Sequence, residues 1–283
     1  MKFFYRLCLR SLLLLIVFTN PNALLKAQKA DSLHFEKERF SVQFGGFLTG
    51  LNSDLIVGSK QLGLGLSLNL EDALNLETTT TVLRGETSYD YGKRKKHRLG
   101  MSYFQLLRGA SKTLDAEIEV GDRVFEAGTE IRSRFDLRIY KASYNYGFFQ
   151  DDRMRLGASF GIFIMPISFS IETSRLEEEF FSFIAPFPVI GLSTDFNISP
   201  KLTLKQSFEL LYVQFGDFRG VISDVNFRLE YKLIDHLALG TGINTFKLNI
   251  DLEADSDIRF DFVGAIQTGY TGVLFYVKYF INQ

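Results

Sequence analysis

The chain has 283 residues, 46% of them hydrophobic, with 23 Gly, 29 Phe and 12 Tyr but only 5 Pro and no Trp. Its net charge of −1 gives no general attraction for a polyanion, so no nucleic-acid partner is expected. The single cysteine, Cys8, rules out an intrachain disulfide framework and a thiolate metal site.

Residues 1–27 read as a secretory signal peptide. Lys2, Arg6 and Arg10 form a basic start, Ser11 to Phe18 an apolar core, and Thr19-Asn20-Pro21-Asn22 a break before Ala27, the residue preceding cleavage. The apolar core is too short to cross ~30 Å of hydrocarbon. Cys8 precedes it and is lost with it, so the mature chain has no thiol nucleophile. Residues 28–38 are polar and predict a periplasmic lead-in. Residues 39–283 predict a single outer-membrane domain, which places the protein in the cell outer membrane.

From Arg39 onward the dominant period is two. Phe40, Val42 and Phe44 alternate with Ser41, Gln43 and Gly45, and Val225, Phe227, Leu229, Tyr231 and Leu233 alternate with Asn226, Arg228, Glu230 and Lys232. Such alternation marks strands with unlike faces. No later apolar run approaches the 18 residues of a membrane helix, so a membrane-embedded chain must be a closed barrel, where every backbone group pairs.

The predicted strands, in chain order, are 40–51, 81–91, 98–108, 131–147, 154–171, 186–198, 202–215, 221–233, 237–252 and 268–280. The fold class is therefore all-β: a transmembrane up-and-down antiparallel barrel of about ten strands, with 8 or 12 as alternatives. Residues 52–80, including the alternating 62–70, are left as a hairpin or a strand extension. Short turns at 92–97, 149–153, 199–201 and 234–236 alternate with connections at 109–131, 172–185, 216–220 and 253–267. This is the pattern of periplasmic turns and extracellular loops. Tyr89, Tyr91, Tyr144, Tyr146, Phe196, Tyr231 and Tyr279 stand beside the short turns and predict the periplasmic aromatic girdle.

The phase opposite the lipid face carries Arg84, Glu86, Asp90, Arg155, Lys205, Glu209, Arg228, Glu230, Lys232 and Lys278, the candidate lumen lining. Mixed signs there fit either a solute-conducting wall or an internal plug of ion pairs. Lys93 to Lys96 with Arg98 read as a solvated basic turn. Asp251, Glu253, Asp255, Asp257 and Asp261, like Glu177 to Glu179, read as loop surface, without the glycine and spacing of an EF-hand.

Gly157-Ala158-Ser159-Phe160-Gly161 matches G-x-S-x-G, but a nucleophile elbow needs a strand-to-helix turn and this run lies mid-strand. The three histidines, His34, His97 and His236, fall in the lead-in and the short turns, away from any Ser or Asp constellation. No catalytic, cofactor-binding or metal residue is assigned.

The spaced residues Phe135-Asp136, Tyr140, Tyr144, Tyr146, Leu156-Gly157, Gly161, Pro188 to Leu192, Leu229-Glu230-Tyr231 and Gly240 resemble those of uncharacterised small outer-membrane β-barrel proteins of Gram-negative bacteria. The segment Glu71 to Leu76 resembles an acidic motif near their N-termini. The resemblance spans about residues 39–280 and implies fold and location, but no activity. The chain departs from it in having Ile281-Asn282-Gln283 after Phe280. The function expected is an integral outer-membrane barrel, porin-like or structural and not an enzyme. The alternatives are a lipid-modifying enzyme and a binding or adhesion protein acting through its loops. Expected partners are outer-membrane lipids and lipopolysaccharide, and the barrel assembly machinery, with the barrel itself a monomer and without a cofactor.

Overall fold

The computed structural model describes residues 38–282, apart from 59–64, 121–122, 174–176, 216–217 and 253–263. The predicted signal peptide, His34, most of the predicted lead-in, and Glu253, Asp255, Asp257 and Asp261 lie outside the described residues.

The long strands are β1 (Phe40–Gly58), β3 (Thr79–Tyr91), β4 (His97–Thr113), β7 (Glu130–Gln150), β8 (Met154–Thr173), β9 (Glu177–Ser199), β10 (Leu202–Phe215), β11 (Phe218–Ile234), β12 (Leu237–Leu252) and β13 (Gly264–Ile281). Each pairs antiparallel with the next. The ring closes through β13 on β1, from Phe40 opposite Ile281 to Val57 opposite Gly264. The sheet contains eleven strands. One of them, β2 (Gly65–Asn69), pairs only with the distal part of β1, so the closed ring has ten. A small hairpin, β5 (Ile118–Val120) with β6 (Arg123–Phe125), rises between β4 and β7.

Several strands run past their predicted ends. β8 and β9 continue to Thr173 and from Glu177, so most of the predicted 172–185 loop is wall. The reason lies in a change of polarity along each strand. In β7 the outward residues at the short-turn end are Tyr140, Ala142, Tyr144, Tyr146 and Phe148. Toward the loop end they become Arg132, Arg134, Asp136 and Arg138. The inward residues change the opposite way, from Lys141, Ser143, Asn145 and Gly147 to Ile131, Phe135, Leu137 and Ile139.

Strand β8 does the same: Gly157, Ser159 and Gly161 give way to buried Phe163, Met165, Ile167, Phe169 and Ile171. The exposed apolar belt covers about the nine to eleven residues a tilted strand needs to cross a bilayer. Beyond it the outer wall meets water and becomes polar, and the interior becomes an ordinary hydrophobic core of Phe47, Phe104, Phe163, Phe187, Phe246 and their neighbours. One closed sheet thus joins two barrels of opposite polarity.

Residues 52–80 supply the cover of the apolar half. β1 extends and pairs with β2, and a short helix α1 (Leu70–Leu74) follows. Asn69 caps its start by accepting from the Asp72 amide at 2.9 Å, and Asn75 ends it in the left-handed region at φ 58°. β3 and β4 pair only from Arg84 opposite Phe104 to Tyr91 opposite His97, so the wall parts toward the loop end. α1 is fixed to β4 on that side. Arg108 donates to Glu71 at 2.5 Å, and Lys112 Nζ reaches the carbonyls of Asp72 and Ala73. Leu70, Leu74 and Leu76 are buried in the apolar core.

Candidate functional site

The membrane-level interior is the candidate site, because most of the buried charged side chains gather there. Alternation alone places them. Every second residue of β3, β10, β11 and β13 points inward, and the antiparallel register brings unlike charges to neighbouring strands.

Four clusters form. Glu230 accepts from Lys278 at 2.7 Å, from Lys205 at 2.9 Å and from the Tyr276 hydroxyl at 2.8 Å, while Glu38 meets Lys278 at 2.6 Å. Lys278 is only 1% exposed, and its amino group lies between the carboxylates of Glu230 and Glu38. Glu86 receives both its oxygens' contacts from Arg228, at 3.1 Å each, with Arg84 at 3.4 Å. Lys141 pairs with Glu209 and lies 3.7 Å from Asp224. Asn244 links this group to the second one, donating to Asp224 at 2.6 Å and accepting from Arg84 at 3.1 Å and Tyr270 at 2.8 Å.

At the short-turn end Arg98 forms a fork on Asp90 at 2.7 and 2.9 Å and reaches Asp195 at 2.9 Å. Arg155 joins from 4.0 Å and donates to the Lys96 carbonyl. This corrects the reading of Arg98 as part of a solvated turn. Its neighbours in sequence are basic, but its phase points inward. Glu38, Lys141, Asp195 and Asp224 are further members that the sequence reading omitted. Lys141, Asp195 and Asp224 sit at inward phase positions, which was the available signal. Glu38 precedes the first strand and carries no such signal.

Arg84, Glu86, Arg155, Lys205, Glu209, Arg228, Glu230 and Lys278 all face this interior. Lys232 lies at the rim, 3.4 Å from Asp235 of its own turn. Tyr89, Tyr91, Tyr146, Phe196, Tyr231 and Tyr279 are exposed on the outer wall beside the short turns, and Tyr144 is half-buried because its hydroxyl meets His97 Nδ1 at 2.7 Å.

What space is left is small. A cavity of about 130 Å³ lies among Ser143, Ser159, Ser193, Glu209, Asn226 and Arg228. A second, of about 120 Å³, lies toward the short turns beside Asp90, Arg98, Arg155 and Lys205. Both are polar and have room for a few waters, which fits buried polar atoms such as Asn145 Oδ1 and Asn226 Oδ1 that find no protein partner. Ser159 lines the first cavity from mid-strand, with no histidine in that lining. His97 and His236 are engaged at the turns, His236 at 3.1 Å from the Phe280 carbonyl. No grouping of three or more metal-ligating side chains occurs among the described residues. A wider open groove of about 700 Å³ lies on the polar outer wall of β12, β13 and β1, lined by residues such as Asn52, Thr245, Lys247, Gln267 and Thr271.

No protein-family model and no curated protein matches the chain in sequence. Solved structures match in fold. The Escherichia coli outer-membrane protease OmpT superposes with a TM-score of 0.52 at 11% identity, covering 89% of this chain and 99% of that chain. The translocator domain of the autotransporter NalP of Neisseria meningitidis gives 0.44 at 12% identity over 95% and 97%. Ail, the attachment invasion locus protein of Yersinia pestis, gives 0.36 at 13% over 85% and 99%. The fold is that of the outer-membrane β-barrels of Gram-negative bacteria.

Proposed function

We propose that the protein is a closed, non-conducting outer-membrane barrel whose membrane half anchors and whose projecting half serves as a cell-surface binding platform. The observation that carries this reading is that the interior is filled along its length. Paired charges occupy the membrane half, and close-packed apolar side chains with α1 occupy the other. An ion would have to break the Glu230, Glu86 and Arg98 clusters in turn and then cross a mostly apolar core whose buried charges, Arg108 and Glu71, are already paired. The charges are paired with one another, which fits a plug better than a selective conducting wall.

The reading is of a non-enzyme. Its support is the engagement of His97 and His236 at the turns and the placement of Ser159 mid-strand beside a cavity with no histidine in its lining. In this reading the short turns face the periplasm and the loops the exterior, as the lengths of the connections favour.

Planar-bilayer recording tests it. The purified barrel is expected to be silent over a wide voltage range, and so is a charge-swapped variant at Arg228. Discrete, reproducible conductance steps from the wild-type barrel, with selectivity altered by Arg228→Glu, would replace the platform with a channel. Unchanged lipid A and phospholipid masses on overexpression are expected as well; new lipid species would reinstate the enzyme.

A further inference from the structure

The outer wall directly above the lipid belt is not uniform. On β7 three arginines, Arg132, Arg134 and Arg138, point outward and are exposed. They stand above Tyr140, whose ring lies 4.7 Å from that of Tyr103 at the upper edge of the belt. Arg138 is opposite Gln105 of β4, one outward position above this aromatic pair. The flanking strands keep the arginine heads clear. β4 contributes Gln105, Gly109 and Ser111 opposite the arginines, with Leu107 opposite Asp136, and β8 contributes Ser168 and Ser170.

Acidic groups facing the stripe are Glu130 and Asp136, on β7 itself, and Glu172 of β8, which lies 3.5 Å from Arg132 with both side chains exposed. An exposed pair of that kind is worth little and yields readily to a better anion. Arg134 and Arg138 make no ion pair among the described residues. On the far side of the ring the corresponding wall of β12 carries Thr245, Lys247, Asn249 and Asp251, a neutral set.

Position selects the partner. Two residues of strand advance by about 6.7 Å, and barrel tilt leaves roughly 5 Å of that along the membrane normal. Arg138 therefore stands roughly 5 Å above the aromatic edge, Arg134 roughly 15 Å and Arg132 roughly 20 Å. A phospholipid offers one layer of phosphate, which only Arg138 meets. A glycolipid whose phosphates and sugar carboxylates continue upward from the headgroup meets all three. Guanidinium is the side chain suited to it, since it binds phosphate and carboxylate through paired N–H donors.

We propose that Arg132, Arg134 and Arg138 form a lipopolysaccharide-binding ladder on one wall of the barrel, reading the anionic groups of lipid A and the inner core in succession. The inference uses the orientation adopted under the proposed function, with loops outward, but not the absence of conduction.

The test is native mass spectrometry and equilibrium binding of the full-length barrel in detergent. The probes are lipopolysaccharide with its inner core, dephosphorylated lipid A, and phosphatidylglycerol. Wild type is expected to retain lipopolysaccharide. Arg132→Gln/Arg134→Gln/Arg138→Gln should weaken that binding roughly tenfold or more. Lys247→Gln on the opposite wall should leave it unchanged. Heat-modifiable migration of each variant shows that it has folded.

Equal binding by the triple variant, or an equal loss in Lys247→Gln, overturns the site. Equal affinity for phosphatidylglycerol overturns the ladder and leaves a headgroup contact at Arg138 alone. A conducting wild type would end the platform reading without touching this result, whereas loss of surface labelling of the β7 side would end the orientation on which both rest.

Discussion

The membrane half and the projecting half of this barrel obey one rule with opposite outcomes. Around Phe160 and Ile190 the outer wall is exposed and apolar, and the interior opposite holds Ser159, Ser193, Glu209 and Arg228. Around Arg134 and Ser182 the outer wall is polar, and the interior holds Phe135, Phe169 and Phe183. The backbone ladder is continuous through both. Only the solvent outside changes, and the interior takes whichever polarity the outer face does not need. Cohesion therefore differs: ion pairs and hydrogen bonds fasten the first interior, dispersion and apolar burial the second.

Cutting into each interior separates these mechanisms. Phe135 is 1% exposed, and its ring carries the Arg108 guanidinium at 5.0 Å. Phe135→Ala is expected to destabilise the folded barrel by about 3–5 kcal/mol, because it leaves a cavity in a packed core. Unfolding in denaturant, followed by circular dichroism and by the gel shift of the folded form, measures it. The loss should be insensitive to salt. A salt-dependent loss of similar size would mean that Arg108 and Glu71, and not packing, hold that half.

The reciprocal change is Glu230→Gln, which leaves Lys205 and Lys278 with Glu38 as their one remaining shared carboxylate among the described residues. The loss expected is about 3 kcal/mol, the low end for breaking a buried pair, since Glu38 remains 2.6 Å from Lys278. Lys278→Met added to it should recover part of the loss. If the double variant is instead worse than the sum of the two singles, the network is not the source of cohesion in the membrane half.

Much of this was legible beforehand, for reasons the two halves make plain. Ten strands and the inward set from Arg84 to Lys278 followed from strict alternation, because the membrane forbids charge on one phase and so exposes the period. The inversion was legible too, in Arg132, Arg134 and Arg138 against Phe135, Leu137 and Ile139, but a single meaning was assigned to each phase along the whole strand. That error shortened β8 and β9 into a loop. Arg98 was misplaced because a run of basic neighbours outweighed its phase. The role of Glu71 was out of reach. Its partner Arg108 is distant in sequence, and nothing local says that a five-residue helix will turn inward.

Arginine scanning of the outer face locates the boundary itself. Ile190 is 68% exposed in the middle of the belt portion of β9. Ile190→Arg should cost about 2–3 kcal/mol, as expected for a cation near the bilayer midplane. Ser182→Arg, farther along the same face of the same strand, should change stability by less than about 0.5 kcal/mol. Equal costs at the two sites would place the lipid boundary beyond Ser182 and make the projecting half part of the membrane span.

The smallest effect tests how the polar interior is spaced. Gly240 of β12 lies directly opposite Tyr276 of β13, and the ring covers the place where a Cβ would stand. The same tyrosine donates to Glu230 at 2.8 Å, so the glycine sets the position of a network member without touching a charge. Gly240→Ala must push the ring aside, at about 1–2 kcal/mol for overpacking. Tyr276→Ser removes the ring and should cancel that penalty, so the two substitutions should show a coupling of about 1 kcal/mol in a double-mutant cycle. Additive losses would mean that the ring yields freely and that Gly240 serves only the bending of its strand. Coupled losses would show that the membrane half is packed as tightly around its charges as the projecting half is around its phenylalanines.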